Sequence, residues 1–170
     1  MTRSMNMQNT PIKARFGRSD VVCEPPHLAE CEAIAAVICR ASGRGFLLPR
    51  SGADIADHCE NFLVARIEGQ IVGCVALRDF GKGLQELRSL AVDESFCGRG
   101  IGSLLVRSVL DMAKRRNAQR VFTLTLEEGL FSRVGFRHMT HSDFPQKVWS
   151  DCRLCPRRKS CNEIALAIDL

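Results

Sequence analysis

LAVDESFCGRGIGSLL, residues 90–105, is the stretch whose reading decides the fold. It begins inside LQELRSLAV (Leu84–Val92), a run of strand character. Gly98, Gly100 and Gly102 then crowd a short loop. Beyond them Ile101, Leu104, Leu105, Val109, Met112 and Ala113 recur at helical spacing. A strand therefore runs into a glycine loop that opens a helix. Without Cβ atoms the loop's N–H groups can close on a ligand. The first N–H groups of the helix lack partners within it and carry the positive end of its dipole. No Ser, Asp or Asn stands directly at the helix start to cap them. A pyrophosphate is the natural occupant. The glycines are too close together for a dinucleotide fingerprint, and no Lys followed by Ser or Thr completes a triphosphate loop. A tight strand-to-helix turn would explain one glycine but poorly explains three.

Working outward, FLVARI (Phe62–Ile67) and IVGCVALRDF (71–80) read as a hairpin closed by Glu68-Gly69-Gln70. Gly81-Lys82-Gly83 turns the chain into the third strand, so an antiparallel meander is expected. Downstream, residues 120–126 read as a strand and Glu128–Val134 as a short helix. Strand, helix and strand in succession place Val92 and Val121 on parallel neighbouring strands. Two more strands are expected, near Arg137 and over residues 164–170. Upstream, residues 20–24 read as a strand, 27–40 as a helix and 53–59 as a short helix. ASGRGFLLPRSG (41–52) reads as a loop. The fold class is a mixed α/β sheet, an antiparallel meander with one parallel strand pair, flanked by helices.

The whole of residues 20–170 reads as one domain, since 170 residues suit a single core. Residues 1–19 carry Arg3, Lys13, Arg15 and Arg18 with no acid, and read as a disordered basic tail. With 45% hydrophobic and 25% charged residues, fibrous and wholly disordered classes are excluded. No apolar run reaches the ~18 residues of a membrane helix. The net charge of +5 sits largely in the tail, which argues against a nucleic-acid groove. Nine cysteines, an odd number and scattered, fit reduced thiols in a cytoplasm better than a disulfide framework. Tyr is absent, so no step can use a tyrosine hydroxyl.

The segment before and through Cys97-Gly98-Arg99-Gly100-Ile101-Gly102 resembles the GNAT superfamily of N-acetyltransferases, whose strand ends in L-A-V before an Arg/Gln-x-x-Gly-x-Gly/Ala turn. Cys97 stands where Arg or Gln is usual, and VGF (134–136) fits the superfamily's last helix. The resemblance implies acetyl-CoA as donor. Its pyrophosphate would lie on Cys97, Gly98, Arg99, Gly100, Ile101, Gly102 and Ser103, and its pantetheine arm beside Leu90, Ala91 and Val92. FLLPRS (46–51), ENFLVAR (60–66), VGCVALRDF (72–80), LFSRVGFR (130–137) and SDFPQKVW (142–149) are similar to the transferase domain of N-acetylglutamate synthases. The closing DCRLCPRRKSCNEIALAIDL is similar to their short bacterial form. That branch implies L-glutamate as acceptor and arginine biosynthesis as context, and leaves a homodimer open. Another small amine or amino acid as acceptor, or a non-catalytic acetyl-CoA-sensing module, are the alternatives.

An acidic acceptor suits Arg, whose fork holds both oxygens of a carboxylate. Arg50, matched to a glutamate-contacting arginine, Lys82 and Arg88 are the candidates, with an ion pair to Glu86 the plain alternative for Arg88. Glu86 is the expected general base, directly or through water. Phe131 holds the place of the superfamily's acidic Tyr, leaving water or Ser132 to serve the departing thiolate. Cys152-x-x-Cys155 and Cys161 offer three thiols that could share a zinc with His138, His141 or a partner chain. The set is one ligand short, a loop of reduced thiols explains it as well, and no metal is assigned.

Overall fold

A computed structural model describes residues 11–16, 19–43 and 47–170. In chain order the strands are β1 (Ile12–Phe16), β2 (Ser19–Glu24), β3 (Phe62–Ile67), β4 (Gln70–Asp79), β5 (Leu84–Val92), β6 (Arg120–Thr125), β7 (Arg137–Met139) and β8 (Ile164–Asp169). The helices are α1 (Cys31–Gly43), α2 (Gly52–Ala56), α3 (Ile101–Arg115), α4 (Glu128–Val134) and α5 (Pro145–Ser150). The strands form one sheet in the order β1-β2-β3-β4-β5-β6-β8-β7. Only the β5–β6 pair among them is parallel.

Helices cover both faces because the strands alternate apolar side chains up and down. On β3, Leu63 and Ala65 join the core under α3 with Val106, Val109 and Phe131, while Phe62 and Val64 join that of α1 and α2 with Ile34, Ile38 and Ile55. A third, smaller cluster packs Phe122 against Phe144 just ahead of α5, their rings stacked at 4.1 Å.

Two of these expectations need correction. The basic tail is shorter than expected, because Ile12–Phe16 pairs antiparallel with β2 and forms the sheet's edge. Ile12, Ala14 and Phe16 alternate with Lys13 and Arg15 in a period-2 pattern, and the exposed side chains of Lys13 and Arg15 suit an edge strand. Residues 1–10 and 17–18 of the expected tail and 44–46 of the expected loop lie outside the described residues. The expected parallel pair is present, Val92 lying on β5 and Val121 on the neighbouring β6, where Val121 pairs with Gln85. Finally, the helix expected from residue 27 begins as a 3-10 turn over Leu28–Glu30, where the backbone N–H of His27 donates to Glu30 Oε2 at 2.7 Å.

Two features of β5 position the site. Its pairing with β6 covers only Leu84–Glu86 against Arg120–Phe122. Beyond that the strands part, leaving a wedge in the middle of the sheet. Its register on β4 slips between Cys74 and Ala76, opposite Ser89, which has φ 55°. A left-handed residue inside a strand costs about 1 kcal/mol or more and marks a bulge. The slip inverts the alternation: Leu87 faces the α3 core and Ala91 the α1 core, although both are odd positions.

Candidate active site

The glycine loop adopts the form its sequence implies. Asp93 receives the Ser95 N–H at 3.1 Å and starts a 3-10 turn over Glu94–Phe96. The chain then turns through Gly98 (φ 74°) and Gly100 (φ 81°), conformations L-residues rarely adopt. Gly100 precedes α3 and supplies no side-chain cap, and no acidic residue stands in the first turn. A Cβ on Gly102 would come within 3.1 Å of Leu130 Cδ1, so α3 and α4 pack tightly at that position. The N–H groups of Ile101, Gly102 and Ser103 precede the first intrahelical bond, Leu104 N–H to Gly100 O at 3.0 Å.

Cys97 and Arg99 are exposed. The Cys97 thiol lies 3.7 Å from Val92 O and 3.6 Å from Asp93 O, and Arg99 donates to Ser95 O at 3.0 Å while covering the Phe96 ring. Both side chains brace the turn from outside. Leu90, Ala91 and Val92 lie on the part of β5 that β6 does not pair. An uncapped helix start, a glycine turn and an open strand edge in sequence fit the pyrophosphate and arm of acetyl-CoA.

On the opposite face of the sheet, beside β5, lies a cavity of about 860 Å³. Arg50, Glu86 and Arg88, singled out in the sequence, all line it. Glu86 is 3% exposed. Its Oε1 accepts from Lys147 Nζ at 2.7 Å. Its Oε2 has no hydrogen-bond partner among the described residues, with Arg88 Nη1 3.9 Å away. Arg88 is thus a loose neighbour of Glu86, also 3.7 Å from Asp151. Arg50 is held by its Nε on Asp54 Oδ2 at 2.5 Å and by its Nη1 on Ser89 Oγ at 3.3 Å, above the Phe62 ring. The hydrogen bond from Arg50 lowers the Asp54 carboxyl below its ordinary range.

Lys82 is not at this site. It occupies the β4–β5 turn with φ 53°, exposed and outside the cavity lining. The cations that the sequence did not single out are Lys147, on α5, and Arg78, on β4 directly opposite Glu86. Asp151 gathers them. It accepts from Arg78 Nη1 at 2.6 Å on both oxygens and from Lys147 at 2.7 Å. Burial would raise its pKa, but these two hydrogen bonds outweigh burial and hold the carboxyl far below the ordinary range. The i,i+4 spacing of Lys147 and Asp151 was the available signal.

Cys152 and Cys155 also line the cavity, and burial raises the Cys152 thiol above its ordinary value. The described residues contain no group of three or more His, Cys, Asp or Glu arranged to hold a metal, so Cys152, Cys155 and Cys161 are not gathered into a zinc site. Cys74, beneath Ser89, is pushed up to about 12 by full burial, which leaves no nucleophilic thiolate there. Phe131 is buried edge-on to Phe136 and serves the core, and Ser132 is exposed. No described helix is long and apolar enough to cross a membrane.

A wedge in a mixed sheet, with a glycine turn at one side and a carboxylate cavity at the other, is the plan of an acyltransferase that binds its donor along an open strand. The family model for the acetyltransferase (GNAT) domain matches residues 58–138. An uncharacterized N-acetyltransferase of Chlorobaculum tepidum is 39% identical over 148 residues, covering 87% of this chain and 96% of the relative. The chain belongs to the GNAT family of acetyl-CoA-dependent N-acetyltransferases. An amino-acid acetyltransferase of Mycobacterium tuberculosis is 34% identical over 63% of this chain and 64% of its own. The N-acetylglutamate synthase of Neisseria gonorrhoeae, complexed with coenzyme A and N-acetyl-glutamate, superposes with a TM-score of 0.79 at 26% identity. That match covers 88% of this chain but only 35% of the synthase.

Proposed function

We propose that this acetyltransferase carries the acetyl group of acetyl-CoA to the α-amine of L-glutamate, as the opening step of arginine biosynthesis. One observation carries the reading: a buried carboxylate with a free oxygen, Glu86 Oε2, shares a single cavity with four cations, Arg50, Arg78, Arg88 and Lys147. An amino acid with a second carboxylate matches that pattern, an amine for the oxygen and carboxylates for the cations. The likeness to the Neisseria synthase supports the same acceptor.

In this reading the pyrophosphate is held by Gly98 to Ser103 at the start of α3, with Cys97 and Arg99 bracing the turn. The arm runs beside Leu90, Ala91 and Val92. Arg50 is anchored through Nε, so the Nη edge of its fork takes an acceptor carboxylate. Arg88, only loosely tied, takes part in the same clamp. Lys82 has no part in it. The incoming amine donates to Glu86 Oε2, which holds its nitrogen toward the thioester. Attack on the thioester expels a thiolate with a pKa near ~8.5, so water can reprotonate it without a tyrosine.

The test is thiol release from acetyl-CoA across a panel of amino acids. Glutamate should give the highest kcat/KM. A neutral or basic amino acid preferred by ten-fold or more would overturn the acceptor assignment.

A further inference from the structure

A second carboxylate faces the acceptor cavity. Glu163 stands immediately before β8 and lines the same cavity as Glu86. It approaches from the far side of the wedge, because β8 adds to β6 while Glu86 rides on β5. Its neighbour Ile164 pairs with Thr125, the last residue of β6. That level lies beyond the β5–β6 pairing, where the strands have parted.

The two carboxylates differ in their bonds. Glu86 Oε1 forms an ion pair with Lys147 at 2.7 Å. Protonating Glu86 would break that pair and leave a largely buried ammonium on Asp151 alone, a costly outcome. Glu163 Oε2 has a long contact from the Cys161 thiol, at 4.0 Å. Protonating it breaks no ion pair of that kind. Glu86 Oε2, buried and without a hydrogen-bond partner among the described residues, is in the cavity that Glu163 also lines.

We propose, on the footing of the acetyl-transfer reading, that Glu163 is the proton acceptor for the substrate ammonium, while Glu86 holds the amine in place. The first proton passes from the ammonium nitrogen to the Glu163 carboxylate, directly or through a water held by Glu86. The freed lone pair forms the N–C bond to the thioester carbon. The C–S bond breaks with its electrons going to sulfur, and the second N–H proton neutralises the thiolate. The products are the amide, free coenzyme A thiol and protonated Glu163, which returns its proton to solvent.

The surroundings favour this role. Burial raises the Glu163 carboxyl above its ordinary value, and the charge of Glu86 on β5 adds to that. Lys147 on α5, His141 ahead of it and Arg157 in the loop before β8 pull the other way but less than burial. Cys161 and Cys152 complete the titratable groups on this side. A base poised nearer to neutral pH transfers protons more effectively than an ordinary glutamate.

The experiment measures kcat/KM against pH for the full chain and its E163Q and E163D variants, using whichever amine the native protein acetylates best. The native profile should rise through an acidic limb above the ordinary glutamate range. E163Q should lose that limb and fall by ~10²-fold near neutral pH, recovering as pH rises and free amine accumulates. Its acetyl-CoA affinity should be unchanged, and E163D should keep a displaced limb. An E163Q profile matching the native one, or a change confined to the acceptor KM, would overturn the proposal. If E163Q does not fold, an unmoved limb in E163D has the same force. Because the amine is chosen by the native enzyme, a different acceptor defeats only the glutamate assignment.

Discussion

The donor side and the acceptor side of this molecule are built by opposite means. In the proposed reading the donor side is a continuous run, from Leu90 to Ser103, and its working groups are backbone N–H donors in a turn shaped by Gly98 and Gly100. The acceptor side is made of side chains from separate elements: Arg50 ahead of α2, Arg78 on β4, Glu86 and Arg88 on β5, Lys147 on α5 and Glu163 before β8. A backbone site tolerates side-chain drift, which is how Cys97 can replace the usual Arg or Gln without disturbing the turn. A side-chain site depends on every register and helix end that aims it. The donor therefore belongs to the family, and the acceptor to the individual chain.

Breaking the donor side should have the largest effect. Gly100→Glu forces a side-chain residue into a left-handed conformation and places a negative charge at the start of α3, where it occupies the positive end of the dipole and repels the pyrophosphate. Coenzyme A binding by calorimetry should vanish while circular dichroism stays native. Undiminished affinity would mean that the pyrophosphate does not use this turn.

On the acceptor side the corresponding change is Glu86→Gln, which keeps shape but loses charge. Turnover should fall by ~10²–10⁴ with coenzyme affinity nearly constant. A drop of only a few-fold would remove Glu86 from the reacting amine. Arg50→Ala should cost about 2–5 kcal/mol in acceptor binding, seen as a raised KM for glutamate and not for acetyl-CoA. Equal rises in both constants would make Arg50 a brace for Ser89 and Asp54.

Asp151 sharpens the contrast through pH. Its folded pKa is depressed, so its contribution to stability is fully present above the unfolded value near ~3.9 and is lost as pH falls through the folded one. Asp151→Asn should flatten the loss of melting temperature on acidification below about pH 4. An unchanged acid profile would show that the Arg78 and Lys147 contacts do not persist in solution. The smallest effect belongs to Lys82→Ala, where steady-state constants should move less than about two-fold, within ordinary surface-substitution limits. A large rise in the glutamate KM would return Lys82 to the site.

Most of the sheet was legible because its signals are local. β3, β4 and β5 read from their alternation and turns, and α3 from its apolar stripe. β1 was missed because a basic, acid-free N-terminal segment reads as a tail, although Ile12, Ala14 and Phe16 alternate with Lys13 and Arg15. Half of the clamp was visible, since Arg50, Glu86 and Arg88 stand in distinctive segments. Lys147 and Asp151 lie in a stretch whose only internal evidence is their i,i+4 spacing, and Glu163 reads as an ordinary strand-start carboxylate.

What the sequence determined by itself is the strand, glycine loop and helix, together with the kind of donor they fit. Those follow from φ preferences and unpaired N–H groups within a dozen residues. What only the tertiary structure decided is which charges meet. The slip opposite Ser89 inverts the alternation of β5, and a one-residue shift in a strand exchanges every side chain between faces. The slip keeps Ala91 on the face that Glu86 and Arg88 share, toward α1, α2 and α5. It also brings Leu90 and Val92 round to the α3 side. No local pattern encodes that bulge, because it is settled by the packing of β5 between β4 and the parting edge of β6.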